Sequence, residues 1–277
     1  MTRDTMRRGI SAVFVAACGA AVLVALVPLA FILVFLIKQG VQALNMDLFT
    51  HLPKPAGEPG GGMRNAFVGT LILTGLASLF AVPIGVLSGV YMSEYRGTRL
   101  AVAVRFAADT LNGVPSIVIG IFAYGIAVLP FRHFSALAGG IALGIMMIPI
   151  VARTTEEMLK LVPHSLREGA LALGAPQWRV ILGVVIPAAA PGIATGAMLA
   201  IARVSGETAP LLFTAFGSRF FPTSLNEPIA SLTVQIYNYA ISPYDEWHAQ
   251  AWAATLVLMT LVLGINIIVR FLTRKKF

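Results

Sequence analysis

Little in this chain is charged. Asp, Glu, Lys and Arg make up only 12% of its 277 residues, about half the usual share of a soluble domain. With 57% hydrophobic residues and a mean hydropathy of +0.84, that scarcity excludes a water-soluble enzyme and a disordered tail. The single cysteine, Cys18, cannot form an internal disulfide, which excludes a secreted disulfide module. No polar block is long enough for a soluble domain. Lysine is scarce as well. Lys38, Lys54, Lys160, Lys275 and Lys276 are the only five, and none follows a glycine, so a G-x-x-x-x-G-K phosphate loop is absent. His51, His133, His164 and His248 lack metal-ligand spacing, so no metal site is expected.

What remains is apolar sequence in six long stretches, the pattern of an all-α polytopic membrane protein. The stretches predict spans over about Ser11–Ile37, Ala66–Tyr91, Phe106–Leu129, Leu137–Ala152, Val180–Phe216 and Trp252–Val269. Val15-Ala16-Ala17-Cys18 resembles a lipoprotein cleavage box, but the apolar run continues well past Cys18, which favours an uncleaved span. Residues 38–65 form a Pro- and Gly-rich loop. The fifth stretch is too long for one plain helix and carries Pro187, Pro191, Gly206 and Pro210 as candidate breaks.

The net charge of +8 suggests nucleic acid as a partner. The position of the charges argues against that, because they flank the apolar runs and act as topology signals. With both termini in the cytoplasm, fourteen Lys and Arg fall on inner segments and five on outer ones, with Arg203 inside a span. That asymmetry predicts cytoplasmic termini. Tyr237, Tyr239, Tyr244, Trp247 and Trp252 cluster before the sixth span and read as an interfacial aromatic belt rather than a ligand site. No internal repeat is visible.

The inner loop at 153–179 is longer than the other inner loops and carries Arg153, Glu156, Glu157, Lys160, His164, Arg167, Glu168 and Arg179 among apolar residues. Two capping boxes predict helix starts there, Thr154 with Glu157 and Ser165 with Glu168. The second opens a short segment, Glu168 to Gly174, which Gly174 and Pro176 end. From composition alone this is either an interfacial amphipathic helix or a docking helix. The pattern Glu168-Gly169-Ala170, three residues, Gly174, nine residues, Val184-Val185-Ile186-Pro187 resembles the E-A-A-x3-G-x9-I-x-L-P signature of type I ABC importer permeases (the MetI-like fold). The chain departs from it at Gly169, Val184 and Ile186. The resemblance implies a coupling helix seated on a separate ATPase, with small residues Gly169, Ala170 and Gly174 permitting close approach and Arg167 and Glu168 at the rim.

Within the fifth span, Arg203 and Glu207 interrupt apolar sequence. A charged group at that depth costs roughly 2.5 to 3.5 kcal/mol on insertion scales. Two readings account for the pair. One is an internal ion pair that fixes helix packing, since residues four apart share a helix face. The other is an anion site or gate, because the planar guanidinium donates two parallel hydrogen bonds to an oxyanion. A carboxylate that requires an O–H donor accepts hydrogen phosphate and rejects sulfate. Arg153, ending the fourth span, reads either as an inner anchor or as a second stop for an anion. Thr110, Asn112 and Ser116 form a polar stripe near Pro115, and Asn112 and Ser116 are further pathway candidates.

The segments Arg203-Val204-Ser205-Gly206-Glu207-Thr208-Ala209-Pro210, Asn112-Gly113-Val114-Pro115-Ser116 and Asn65-Ala66-Phe67-Val68-Gly69-Thr70-Leu71 resemble those of the phosphate-transport permeases of PstA type. The likeness runs from about Gly61 to the C-terminus. It implies an inner-membrane permease subunit of an ATP-driven phosphate importer, with Arg203, Glu207, Arg153, Asn112, Ser116 and Thr208 along the substrate path. It also implies residues 1–64 as an N-terminal membrane helix with a periplasmic loop, and 65–277 as the permease domain. The partners would be a permease of PstC type, an ATPase homodimer of PstB type and a periplasmic phosphate-binding protein. ATP and Mg²⁺ would sit on the ATPase, and this chain would bind no cofactor and catalyse no covalent step. A permease for sulfate or molybdate, or a gradient-driven carrier, is the alternative.

Overall fold

The computed structural model describes residues 3–55, 57, 58 and 60–274. Pro59 of the first loop, and Lys275 and Lys276 of the orientation count, lie outside them. The described residues form helices and connecting loops without strands. In chain order the helices are α1 (Arg3–Ala43), α2 (Arg64–Glu94), α3 (Arg99–Gly113), α4 (Ser116–Val128), α5 (Ala136–Lys160), α6 (His164–Ala172), α7 (Gln177–Val204), α8 (Ala209–Thr214), α9 (Leu232–Ala240) and α10 (Asp245–Arg274). A helical turn, Asp47–Thr50, lies between α1 and α2. Five helices are long and apolar enough to cross a membrane, and six spans result if α3 and α4, a pair bent by 108°, count as one.

The third span is therefore not one helix over Phe106–Leu129. It begins at Arg99, where the Thr98 side chain caps the Ala101 N–H, and it turns by 108° between Gly113 and Ser116. Pro115 causes the turn. It offers no N–H and excludes its neighbour from helical ψ, and Val114 stands extended at ψ 131°. By contrast Pro191 lies inside α7 and Pro187 at a helical start, and neither breaks the span. A π-helical turn at Ile181–Val185 instead precedes them.

The core is the pairing of α2 with α5, joined by α7 and α8. Ala77, Ala81, Gly85 and Gly89 recur every four residues on α2, so one face is nearly side-chain free. Gly140 and Gly144 on α5 answer with the same economy. A Cβ at Gly144 would lie 2.0 Å from Phe80 Cζ, and one at Gly89 2.5 Å from Thr155 Cβ. Gly89→Val is expected to push α2 off α5 at a cost of about 1–3 kcal/mol. A lowered unfolding midpoint in detergent measures it. Gly75→Ala, where a Cβ meets nothing within 4 Å, should leave the midpoint in place.

The helix α1 is almost wholly exposed and packs chiefly on α10, through Gly40 against Leu256 and Phe35 edge-on to Trp252. α5 fixes the polarity of the molecule. It spans 25 residues, about 38 Å. Its last turn meets α6, while at its first turn Ser135 donates its N–H to the Thr214 carbonyl at the end of α8. The loops at 215–231 and the helix α6 therefore lie at opposite ends.

Candidate functional site

The fifth span breaks at residues 205–208. α7 ends at Val204 and α8 starts at Ala209. A break at membrane depth needs partners for the freed backbone. The Ser205 hydroxyl donates to the Ile201 carbonyl at 2.8 Å, and the Thr233 hydroxyl donates to the Glu207 carbonyl at 2.8 Å. The helical register is thereby interrupted between Arg203 and Glu207. Glu207 does not hold Arg203: no ion pair joins them among the described residues. Arg203 is exposed on the outside of the single chain, and Glu207 and Thr208 are half-buried. An internal packing pair is thus not what the two residues form.

The bend of the third span adjoins this break. Gly120 of α4 abuts Pro210 of α8, where a Cβ would come within 2.7 Å of the proline Cα. Asn112, at the end of α3, is exposed, and Ser116, opening α4, is half-buried. The two interrupted spans pack together, but no hydrogen bond or ion pair connects Arg203, Asn112 and Ser116 among the described residues.

The inner end departs from the sequence reading. α5 does not stop near Ala152 and restart at Thr154. It runs unbroken to Lys160, and the Thr154 hydroxyl bonds back to the Ile150 and Val151 carbonyls at 2.9 and 3.1 Å. The charged stretch stays helical because its carboxylate is neutralised in place. Glu156 is fully buried, yet its Oε1 receives Arg105 Nη2 at 2.7 Å and Lys160 Nζ at 2.6 Å, and its Oε2 receives Arg153 Nη1 at 2.7 Å. Arg153 also reaches Asp109 Oδ1 at 2.9 Å through Nε. Arg153 is thus one of three cations around a buried anion rather than a lone anchor, and the cluster ties α3 to α5. Sequence reading missed Glu156, Arg105 and Asp109. A signal existed: cations three residues before and four after Glu156 place all three on one helix face.

The helix α6 starts after Pro163 as its boundary residues suggest, but no side chain caps it, so the Ser165–Glu168 box does not form. Gly174 ends it in a left-handed conformation, φ +80°. Its N–H meets the Leu171 carbonyl, and the Ala175 N–H meets that of Ala170, a Schellman arrangement. Arg167 is not at the rim. It turns inward, pairing with Glu94 at the end of α2 and donating to the Leu159 carbonyl at the end of α5. The outward face carries Glu168, Gly169, Leu171 and Gly174, with Ala170 half-buried. Leu173 is 90% exposed and Trp178 59%. An apolar face of that kind at the end of a membrane protein fits a protein partner.

At the opposite end the motif Asn65-Ala66-Phe67-Val68-Gly69-Thr70 acts as a clamp. Asn65 is fully buried and donates from Nδ2 to the Ser218 carbonyl at 2.6 Å. Gly69 admits the Ala230 carbonyl, which a Cβ would meet at 1.9 Å. Thr70 Oγ1 accepts the Leu232 N–H at 2.8 Å. Both ends of the 216–231 loop are fixed to α2 by these contacts. Beside that loop the Tyr239 and Trp247 rings stack, with centres 4.5 Å apart.

The family described as binding-protein-dependent transport system inner membrane component matches residues 81–277. The phosphate transport system permease protein PstA of Haemophilus influenzae is 48% identical over 92% of this chain and 90% of its own length. The chain belongs to the PstA permease family. A relative from Methanocaldococcus jannaschii, named as a probable phosphate transport system permease protein PstA, is 37% identical over 94% of this chain and 92% of its own. Solved structures share the fold at low identity. A chain of a bacterial alginate ABC transporter in complex with an alginate-bound periplasmic protein has a TM-score of 0.68 at 16% identity, covering 99% of this chain and 96% of that one. A chain of the inward-facing MetNI methionine transporter gives 0.60 at 19%, covering 76% and 92%. The PstA family member described here is an all-helical, multi-pass inner-membrane protein.

Proposed function

We infer that this chain is the PstA-type permease subunit of an ATP-driven importer of inorganic phosphate. The observation that carries the reading is Arg203. It is a guanidinium exposed on the outside of the single chain, beside a break in a membrane helix, with no ion pair among the described residues. Facing acyl chains, such a group would cost roughly 2.5 to 3.5 kcal/mol or more. Facing a second permease across a polar path, it is available to an oxyanion. The companion permease, of PstC type, would supply the other wall, and Glu207, Thr208, Asn112 and Ser116 would line this one. Arg153 would face the anion last, at the inner end.

ATP hydrolysis falls to separate subunits, an ATPase homodimer of PstB type carrying ATP and Mg²⁺, and phosphate arrives on a periplasmic binding protein. With both termini in the cytoplasm, α6 faces the ATPase. Its exposed Leu171, Leu173 and Trp178 would be covered there, and Arg167 would pass the motion to α2 and α5 through Glu94 and the Leu159 carbonyl. Arg167→Ala leaves Glu94, 8% exposed, without its cation, at a cost of about 3 kcal/mol. The expected result is an assembled complex that hydrolyses ATP with several-fold less phosphate moved per ATP. Equal coupling ratios in wild type and variant would remove Arg167 from the path of force.

Uptake by membranes holding the full complex tests the function itself. Phosphate should enter in an ATP-dependent manner, with excess sulfate leaving the rate unchanged. Competition by sulfate without phosphate uptake would assign the chain to another oxyanion. Failure of any ATPase to purify with the solubilised chain would reject the ABC reading.

A further inference from the structure

The end of the molecule opposite α6 holds a cavity of about 380 Å³ that no step above uses. Its polar lining comes from Ser218, Arg219, Gln235, Asn238 and Tyr239, and Trp247 closes one side. The Arg219 guanidinium lies 6.0 Å from the centre of the Trp247 ring, and that ring stacks on Tyr239. Arg219 has no carboxylate partner among the described residues.

The wall bearing Arg219 is built rather than loose. Phe216 and Gly217 stand at φ +61° and +108°, and the first is a left-handed backbone conformation that a phenylalanine rarely adopts. Asn65 holds the next carbonyl, that of Ser218, from a fully buried position, and Thr70 fixes the far end of the same loop. Burial raises the Tyr239 hydroxyl above its usual range, against the opposing influence of Gln235 and the Arg219 charge, so it stays a proton donor. Ser231, buried at the end of the same loop, completes the polar lining.

We propose that this cavity is a reception subsite for free inorganic phosphate on the outer face, anchored by Arg219 and completed by the Gln235 and Asn238 amides and the Tyr239 hydroxyl. Neutral donors around one guanidinium suit a tetrahedral oxyanion that must be held briefly and released. The proposal deepens the phosphate reading and rests on it.

The complete complex, solubilised without its binding protein, is titrated with inorganic phosphate at constant ionic strength while tryptophan emission is followed. A saturable change is expected, because the anion draws Arg219 away from the Trp247 ring. Trp247→Phe should remove it. Arg219→Gln should weaken the midpoint about tenfold or more, the loss of a charge-assisted contact, and Arg219→Lys should fall between. A wild-type complex that imports phosphate yet shows no saturable change overturns the subsite and leaves the transport function standing. A wild-type complex that imports no phosphate refutes the function and the subsite together. If Arg219→Gln leaves the phosphate midpoint unmoved but weakens capture of the binding protein, the cavity holds an acidic side chain of that protein, and the proposal is wrong.

Discussion

Arg203→Gln is expected to abolish phosphate uptake while the permease still assembles with its partners. The argument is one of differential dependence. The fold draws nothing from this guanidinium, which forms no ion pair among the described residues and lies exposed beside the end of α7. Glutamine keeps the length and a hydrogen-bond donor and removes the charge, so insertion and packing are unharmed or easier. The cargo loses a bidentate, charge-assisted contact, worth roughly 1.5–3 kcal/mol and therefore about ten- to hundredfold in rate. Uptake measured beside co-purification of the ATPase separates the outcomes. Loss of both would return Arg203 to a packing role, and normal uptake would take it off the path. Arg203→Lys should retain a fraction of the rate, since a point charge replaces a planar fork.

Much of the architecture was legible because hydrophobic runs report lipid contact directly. The spans beginning at Ala66 and Leu137 are found within a few residues of where the runs start. What the runs could not report is where a helix ends when charge is neutralised by another segment. Glu156 illustrates this. Read along the chain, Arg153 to Lys160 is polar sequence after an apolar stretch, hence a loop. In the fold, Arg105 arrives from α3 and converts the same residues into a helix end. The Arg203–Glu207 spacing failed for the complementary reason: the four-residue rule holds only on an unbroken helix, and the break falls between them. The Asn65–Thr70 segment was visible as a motif but silent about its role, because its partners, Ser218, Ala230 and Leu232, lie some 150 residues away and no local pattern connects them. Tyr239 and Trp247 were visible as aromatics before the sixth span, and only the fold shows them stacked on each other beside Arg219.

Glu156→Gln carries the second large effect, and there the fold itself is at stake. The carboxylate is wholly buried, and its two oxygens accept from three cations on two helices. Glutamine preserves the volume and deletes the charge, leaving Arg105, Arg153 and Lys160 facing one another with only Asp109 as counter-ion. Removing one member of a buried ionic group costs about 3–5 kcal/mol. The lower figure applies, because the three cations keep 27%, 28% and 37% of their side-chain surface. α3 should then detach at its middle, seen as faster hydrogen exchange over Arg99–Gly113 and a lowered unfolding midpoint. The double variant Glu156→Gln with Arg105→Gln should recover part of the loss, because the excess positive charge falls by one. Unchanged exchange in α3 with normal stability would mean that the cluster does not hold the helices. Loss of stability that the second substitution worsens would mean that Arg105 acts through packing rather than charge. The bend at Pro115 follows this attachment along the chain. Asn112 sits between the cluster and the bend, so a loosened α3 should also misplace the pathway wall and lower uptake even in molecules that remain folded.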